Sequence, residues 1–117
     1  MSTIKRLHVG KRMSEAVIHN SVVYLAGQVA EDTSRDIKGQ TQEILATIDR
    51  LLAEAGSDKT RILQAQIFLT NIKDFAAMNE VWDAWVPQGH TPARATVEAK
   101  LAAAAYLVEI KVIAAQG

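Results

Sequence analysis

The first part of the chain alternates between apolar and polar residues, which is typical of β-strands. β-branched and aromatic residues flank a turn-like pair, Asn20 and Ser21, so the pattern predicts strands at residues 16–19 and 22–26 with a tight turn between them. Gly27 directly follows the second of these strands. A glycine in this position indicates a bulge or a close approach of the backbone, to another protein group or to a ligand.

Two later segments have the period of an amphipathic helix. The first begins near Ile37 and ends at Gly56, where a glycine commonly terminates a helix. The second follows Asp74, a suitable N-cap, and ends before Pro87. Its apolar stripe consists of Phe75, Met78, Val81, Trp82 and Trp85. At this spacing we interpret the two tryptophans as core residues rather than as a recognition surface.

Three further segments alternate as strands. Residues 62–69 form the first, and residues 93–101 form the second, with small apolar residues at odd positions and Arg94, Thr96, Glu98 and Lys100 at even ones. In the third, residues 106–114, the even positions are apolar and the odd positions include Glu109 and Lys111.

With one further strand expected before the first helix, the order is β-β-β-α-β-α-β-β, which predicts an α+β fold with residues 1–117 as a single domain. Both helices are expected to cover one face of a mostly antiparallel sheet, with hairpins at both ends of the chain. The other face is then bare. Because it carries apolar residues among its polar ones, we expect the protein to associate with copies of itself.

Composition narrows the classes of function. The 117 residues include 13 basic and 13 acidic side chains, so no overall charge attracts nucleic acid or an anionic membrane. There is no cysteine, the three histidines lack the spacing of metal ligands, and no glycine-rich phosphate loop occurs. We therefore expect no metal and no cofactor. No segment resembles a signal peptide or a membrane span, so a cytoplasmic location is the expectation.

Arg94 and Glu109, on the last two predicted strands, are the candidate chemical groups. The planar guanidinium of an arginine suits a carboxylate ligand, and a glutamate can position or deprotonate a water molecule. If the two strands pair as a hairpin, both side chains could reach a common cleft. A cross-strand ion pair, or a solvated strand face around Arg94, would explain the same residues.

Four stretches together resemble the RidA (YjgF, endoribonuclease L-PSP) family: Tyr24-Leu25-Ala26-Gly27-Gln28, residues 52–56, Pro92-Ala93-Arg94-Ala95-Thr96-Val97-Glu98 and Val108-Glu109-Ile110. The resemblance implies a chorismate-mutase-like α+β subunit assembled as a homotrimer, with clefts between neighbouring subunits. The best known members hydrolyse reactive 2-imino acids, such as 2-iminopropanoate and 2-iminobutanoate, without metal or cofactor. The resemblance further implies that Arg94 anchors the substrate carboxylate, that Glu109 orients the attacking water, and that the backbone at Gly27 and Thr96 lines the site.

The chain departs from the deaminase members of that family in the pocket wall. Those members usually have Gly-Pro-Tyr near the N-terminus, where this chain places Met13 in the position of the tyrosine, and they have cysteine or serine where it has Thr96. Two other functions therefore stay open. One is a non-catalytic trimer that binds a small carboxylate or acts as a chaperone. The other is a ribonuclease or translation inhibitor, against which the neutral charge and the missing histidine pair argue.

Overall fold

A computed structural model describes residues 3–117 of the chain, in which two α-helices pack on a sheet of six strands. The elements are, in chain order, β1 (Lys5–Val9), β2 (Ser14–His19), β3 (Val22–Leu25), α1 (Ile37–Glu54), β4 (Ile62–Leu69), α2 (Phe75–Trp85), β5 (Ala93–Glu98) and β6 (Val108–Ala115). Short 3-10 turns at Lys59–Arg61 and Ile72–Asp74 precede β4 and α2. The predicted α+β fold and its order of elements are confirmed.

The six strands lie in the order β1-β2-β3-β6-β4-β5, and every neighbouring pair is antiparallel except β4 and β5. The predicted C-terminal hairpin of β5 and β6 is therefore wrong, since β4 lies between them. The reason is that α2 connects β4 to β5 as a crossover, and a strand-helix-strand unit of this kind places its two strands parallel.

Local signals in the sequence account for the ends of several elements. Asn20 and Ser21 both have positive φ, 51° and 62°, which is the conformation of the tight turn predicted between β2 and β3. Gly56, with φ of 79°, follows the last turn of α1 as predicted. Asp74 precedes α2, but its side chain makes no capping hydrogen bond.

The helices cover one face of the sheet, and the buried core lies between them and that face. The apolar side chains in it come from all layers, namely Ala16, Ile18, Val23, Leu25, Ile44, Leu45, Ile48, Leu51, Leu52, Ala55, Ile62, Ala65, Ile67, Leu69, Met78, Trp82, Val86, Val108, Ile110, Val112 and Ala114. Trp82 is only 5% exposed, which confirms its predicted place in the core, whereas Trp85 is half-buried and Phe75 is 41% exposed.

The opposite face of the sheet, which we call the open face, has no helix packed on it within residues 3–117. Strand alternation places Tyr24, Phe68, Val97 and Ile113 there, and Tyr24 is 44% and Val97 is 42% exposed. The predicted bare, partly apolar face is confirmed. No helix of the described residues is long and apolar enough to cross a membrane.

A buried glutamine, Gln40 on α1, fastens the long connection between β5 and β6. Its Nε2 donates to the carbonyl oxygens of Arg35 and Ala105 at 3.2 and 3.1 Å, and its Oε1 accepts from the amide of Leu107 at 3.0 Å. The amide group is fully enclosed and uses both donors and its acceptor. Gln40 therefore fixes the backbone immediately before β6, two residues from Glu109.

We predict that Gln40→Met lowers the free energy of unfolding by about 2–3 kcal/mol, because it leaves buried backbone groups of the β5–β6 connection without partners. Urea unfolding followed by circular dichroism measures the change. Gln42→Met, on an exposed position of the same helix, is the matched control and should change stability by less than about 0.5 kcal/mol. Equal effects of the two substitutions would contradict the role given to Gln40.

Candidate functional site

Glu109 lies on the open face of β6, between the buried Val108 and Ile110. Its carboxylate rests against Gly27, because a Cβ built on this glycine would lie 2.0 Å from Glu109 Oε2. The two backbones are held together just beyond this point by reciprocal hydrogen bonds of 2.8 and 3.1 Å between Gln28 and Ile110. Gly27 is thus the residue whose missing side chain makes room for the carboxylate.

The half-buried carboxylate of Glu109 has no hydrogen-bond donor and no ion-pair partner among residues 3–117. It opens into a cavity of about 250 Å³, which we call the Glu109 cavity. The residues that line it are Phe68, Ala99, Lys100, Leu101, Ala102 and Glu109. A carboxylate in this state can accept hydrogen bonds from a bound molecule or a water.

Arg94 lies on β5, the edge strand, and its side chain points to the helix-covered side of the sheet. Its Nη1 donates to Asn79 Oδ1 at 2.8 Å, and its guanidinium carbon lies 5.2 Å from the ring centre of Trp82 and 5.9 Å from that of Phe75. Both aromatic contacts are within the range of cation–π attraction. Arg94 is therefore held against α2 and is half-buried, rather than lying on a solvated strand face.

Asn79, Phe75 and Trp82 form this cradle because they are spaced four and three residues apart, which places them on one side of α2. Sequence reasoning missed Asn79 as a partner of Arg94. The helical spacing from Phe75 to Asn79 to Trp82 was a usable signal, but it identifies a helix face and not the strand that the face meets.

Thr96 shares the helix-facing side of β5 with Arg94, since the two residues are two positions apart. Its hydroxyl oxygen is buried and is the one such side-chain atom without a hydrogen-bond partner in the described part of the chain. A buried hydroxyl normally has a partner, so Thr96 is an exception within this chain.

Arg94 and Glu109 do not meet within one chain. Arg94 is in register with Ala65 of β4, whereas Glu109 is in register with Phe68. Two strand spacings and three residues along the strands place their backbones about 14 Å apart. Because Arg94 points toward the helices and Glu109 toward the open face, the expected common cleft within one chain is wrong, and the alternative of an Arg94–Glu109 ion pair is wrong as well.

Met13 lies in the loop that joins β1 to β2 and is 52% exposed. The loop is tightened by a hydrogen bond of 2.8 Å from the Gly10 amide to the Met13 carbonyl oxygen. It lies at the same end of the sheet as Gly27, because the amide of Ala26 donates to the carbonyl oxygen of Glu15 at 2.9 Å. Within the sheet, β2 and β3 lie between Met13 and β6. Met13 is at the same end of the sheet as Glu109.

Comparison with known proteins assigns the chain to a family. The family model described as endoribonuclease L-PSP matches residues 3–116. The chain belongs to this family. A relative from Haemophilus influenzae, named a RutC family protein, is 51% identical over 113 residues, which cover 96% of this chain and 97% of that protein. These findings confirm the resemblance seen in the four sequence stretches.

Two further relatives extend the comparison to a solved structure and to a named activity. The crystal structure of NMB1025 from Neisseria meningitidis, a member of the YjgF protein family, superposes with a TM-score of 0.96 at 48% identity, covering 98% of this chain and 96% of that one. A rat protein named 2-iminobutanoate/2-iminopropanoate deaminase is 29% identical over 110 residues, covering 89% of this chain and 80% of the rat protein.

We predict that Gly27→Ala displaces the Glu109 carboxylate, because the new Cβ would overlap Oε2. The atom that must move is the end of a flexible side chain, so the free energy of unfolding should fall by about 1 kcal/mol or less. A crystal structure of the variant and urea unfolding measure the two effects. In a Glu109→Ala background the same glycine substitution should cost nothing further, and an undiminished cost there would contradict the contact.

Proposed function

We propose that this protein hydrolyses 2-imino acids to 2-keto acids and ammonia in clefts between the subunits of a homotrimer. The observation that carries the proposal is the arrangement of its two charged groups. A guanidinium is held with part of its donors unused, and a carboxylate without a partner is held at the opposite face of the sheet. The name of the rat relative supports the choice of reaction.

In the proposed reaction Arg94 binds the substrate carboxylate. Asn79 occupies Nη1, so the remaining donors of the guanidinium can form paired hydrogen bonds with the two carboxylate oxygens. This holds the imine carbon, which is bonded to the carboxylate carbon, in one position. Thr96 lies on the same side of β5, two residues from Arg94, and its backbone lines the site beside the bound carboxylate.

Glu109 accepts a proton from the water that attacks the imine carbon. A carbon–oxygen bond forms while the π electrons of the carbon–nitrogen bond move to nitrogen. Glu109 returns this proton to nitrogen, which gives a neutral carbinolamine. The proton of the carbinolamine hydroxyl then moves to nitrogen through Glu109, the carbon–nitrogen bond breaks as the carbonyl forms, and the products are one 2-keto acid and one ammonia for each imine and water consumed. An imine is already electrophilic, so a positioned water and one carboxylate supply the help that the reaction needs.

A contact between different surfaces of neighbouring subunits would bring the two groups together. If the β5 edge of one subunit meets the open face of the next, Arg94 of the first lies across a cleft from Glu109 of the second. Three such contacts close a ring when each rotates the chain by a third of a turn. The same contact would cover apolar side chains of the open face, among them Tyr24, Phe68 and Val97.

We predict that Arg94→Lys lowers kcat/KM for 2-imino acids roughly 100-fold, since lysine keeps the charge but cannot form the paired hydrogen bonds. The imines are generated from amino acids by an amino-acid oxidase, and their decay is followed with and without the protein. Arg50→Lys, on the exposed side of α1, is the matched control and should leave the rate unchanged. Full activity of Arg94→Lys would exclude the anchoring role, and failure of the unmodified protein to accelerate any imine would favour the non-catalytic, carboxylate-binding trimer.

A second prediction concerns which subunits supply Arg94 and Glu109 to one cleft. Arg94→Ala and Glu109→Ala should each be inactive as pure proteins, but trimers that mix both variants equally should recover about one quarter of the normal activity. Each cleft takes Arg94 from one subunit and Glu109 from the next. In an equal mixture half of the subunits have an intact Arg94 and half an intact Glu109, so about one quarter of the clefts have both. The activity of co-expressed, co-purified variants measures this. If mixing recovers no activity, the two groups do not act from different subunits.

A further inference from the structure

A lysine next to Glu109 has no role in the proposed reaction. Lys100 follows the end of β5, where the amide of Ala99 continues the parallel pairing with a hydrogen bond of 2.9 Å to the carbonyl oxygen of Leu69. It lines the Glu109 cavity and is exposed. Among residues 3–117 its ammonium group forms no ion pair and no hydrogen bond.

The remaining walls of the Glu109 cavity are apolar. Phe68, Leu101 and two alanines supply them, and Lys100 and Glu109 are its two charged residues. An aliphatic chain would suit these walls without help from Lys100. A second carboxylate would be repelled by Glu109, and the ammonium of Lys100 is the group in this cavity that can offset the repulsion.

We infer that Lys100 is a specificity-determining residue that favours 2-imino acids with a second carboxylate at the end of the side chain. This inference rests on the proposed function. Arg94 binds the carboxylate next to the imine carbon, and Lys100 binds the distal one. Each cation then pairs with one carboxylate of the substrate, while Glu109 remains free to act on water.

The test compares two imines of equal chain length, generated by amino-acid oxidases from glutamate and from norvaline. The glutamate-derived imine ends in a carboxylate and the norvaline-derived imine ends in a methyl group. Lys100→Met should lower kcat/KM for the glutamate-derived imine roughly tenfold and leave that for the norvaline-derived imine within about twofold, because only the former loses an ionic contact. Lys100→Arg keeps the charge and should retain the preference. Lys73→Met, at an exposed lysine in the 3-10 turn before α2, is the control.

An equal loss for both imines would mean that Lys100 acts on Glu109 or on the fold, and this would overturn the inference. A preference for the norvaline-derived imine in the unmodified protein would overturn it as well.

Binding of 2-oxoglutarate and 2-oxopentanoate, measured by calorimetry, separates this inference from the proposed function. If no imine decays faster but 2-oxoglutarate binds more tightly and depends on Lys100, the deaminase proposal fails and the assignment of the ligand class stands. If no imine decays faster and 2-oxoglutarate does not bind more tightly than 2-oxopentanoate, both the deaminase proposal and the assignment of the ligand class fail.

Discussion

The position of β4 between β5 and β6 determines where the two candidate charges point. β4 pairs in parallel with β5 and antiparallel with β6, so one strand sets the register of both neighbours. Ala65 and Phe68 are three residues apart on β4, and residues an odd number apart on a strand point to opposite faces. Arg94, in register with Ala65, therefore faces the helices, and Glu109, in register with Phe68, faces the open side. A slip of one residue in either pairing would move its charge to the other face.

Contacts made by residues outside these strands then orient the two side chains. Asn79 and two aromatic rings of α2 hold the guanidinium of Arg94 on the helix side. On the open side the glycine at the end of β3 leaves space for the carboxylate of Glu109, and Gln40 fixes the backbone that enters β6. Each contact joins segments that are distant in sequence, so the site depends on the whole fold being formed.

This dependence separates what the sequence could predict from what it could not. Periodicity located both helices and five of the strands, β1 being the exception, together with the turn at Asn20 and Ser21 and the end of α1 at Gly56, because these features depend on neighbouring residues. The pairing of β5 with β4 instead of β6 depends on how α2 crosses the sheet, and the alternation of apolar residues is the same for either partner. The resemblance named Arg94, Glu109 and Gly27 as site residues, whereas the roles of Asn79 and Gln40 required the contacts themselves.

The charges of Arg94 and Glu109 also bear on the proposed assembly. Each is half-buried, yet Arg94 is paired with a neutral amide and Glu109 with nothing in the described part of the chain. Partial burial of a charge without an opposite charge costs stability, and an ion pair within the chain would have removed much of that cost. Strand alternation forbids this pair by placing the two groups on opposite faces. Solvent reaches both half-buried groups in the single chain, and in the proposed assembly an anion bound to Arg94 and a neighbouring subunit over Glu109 would replace it.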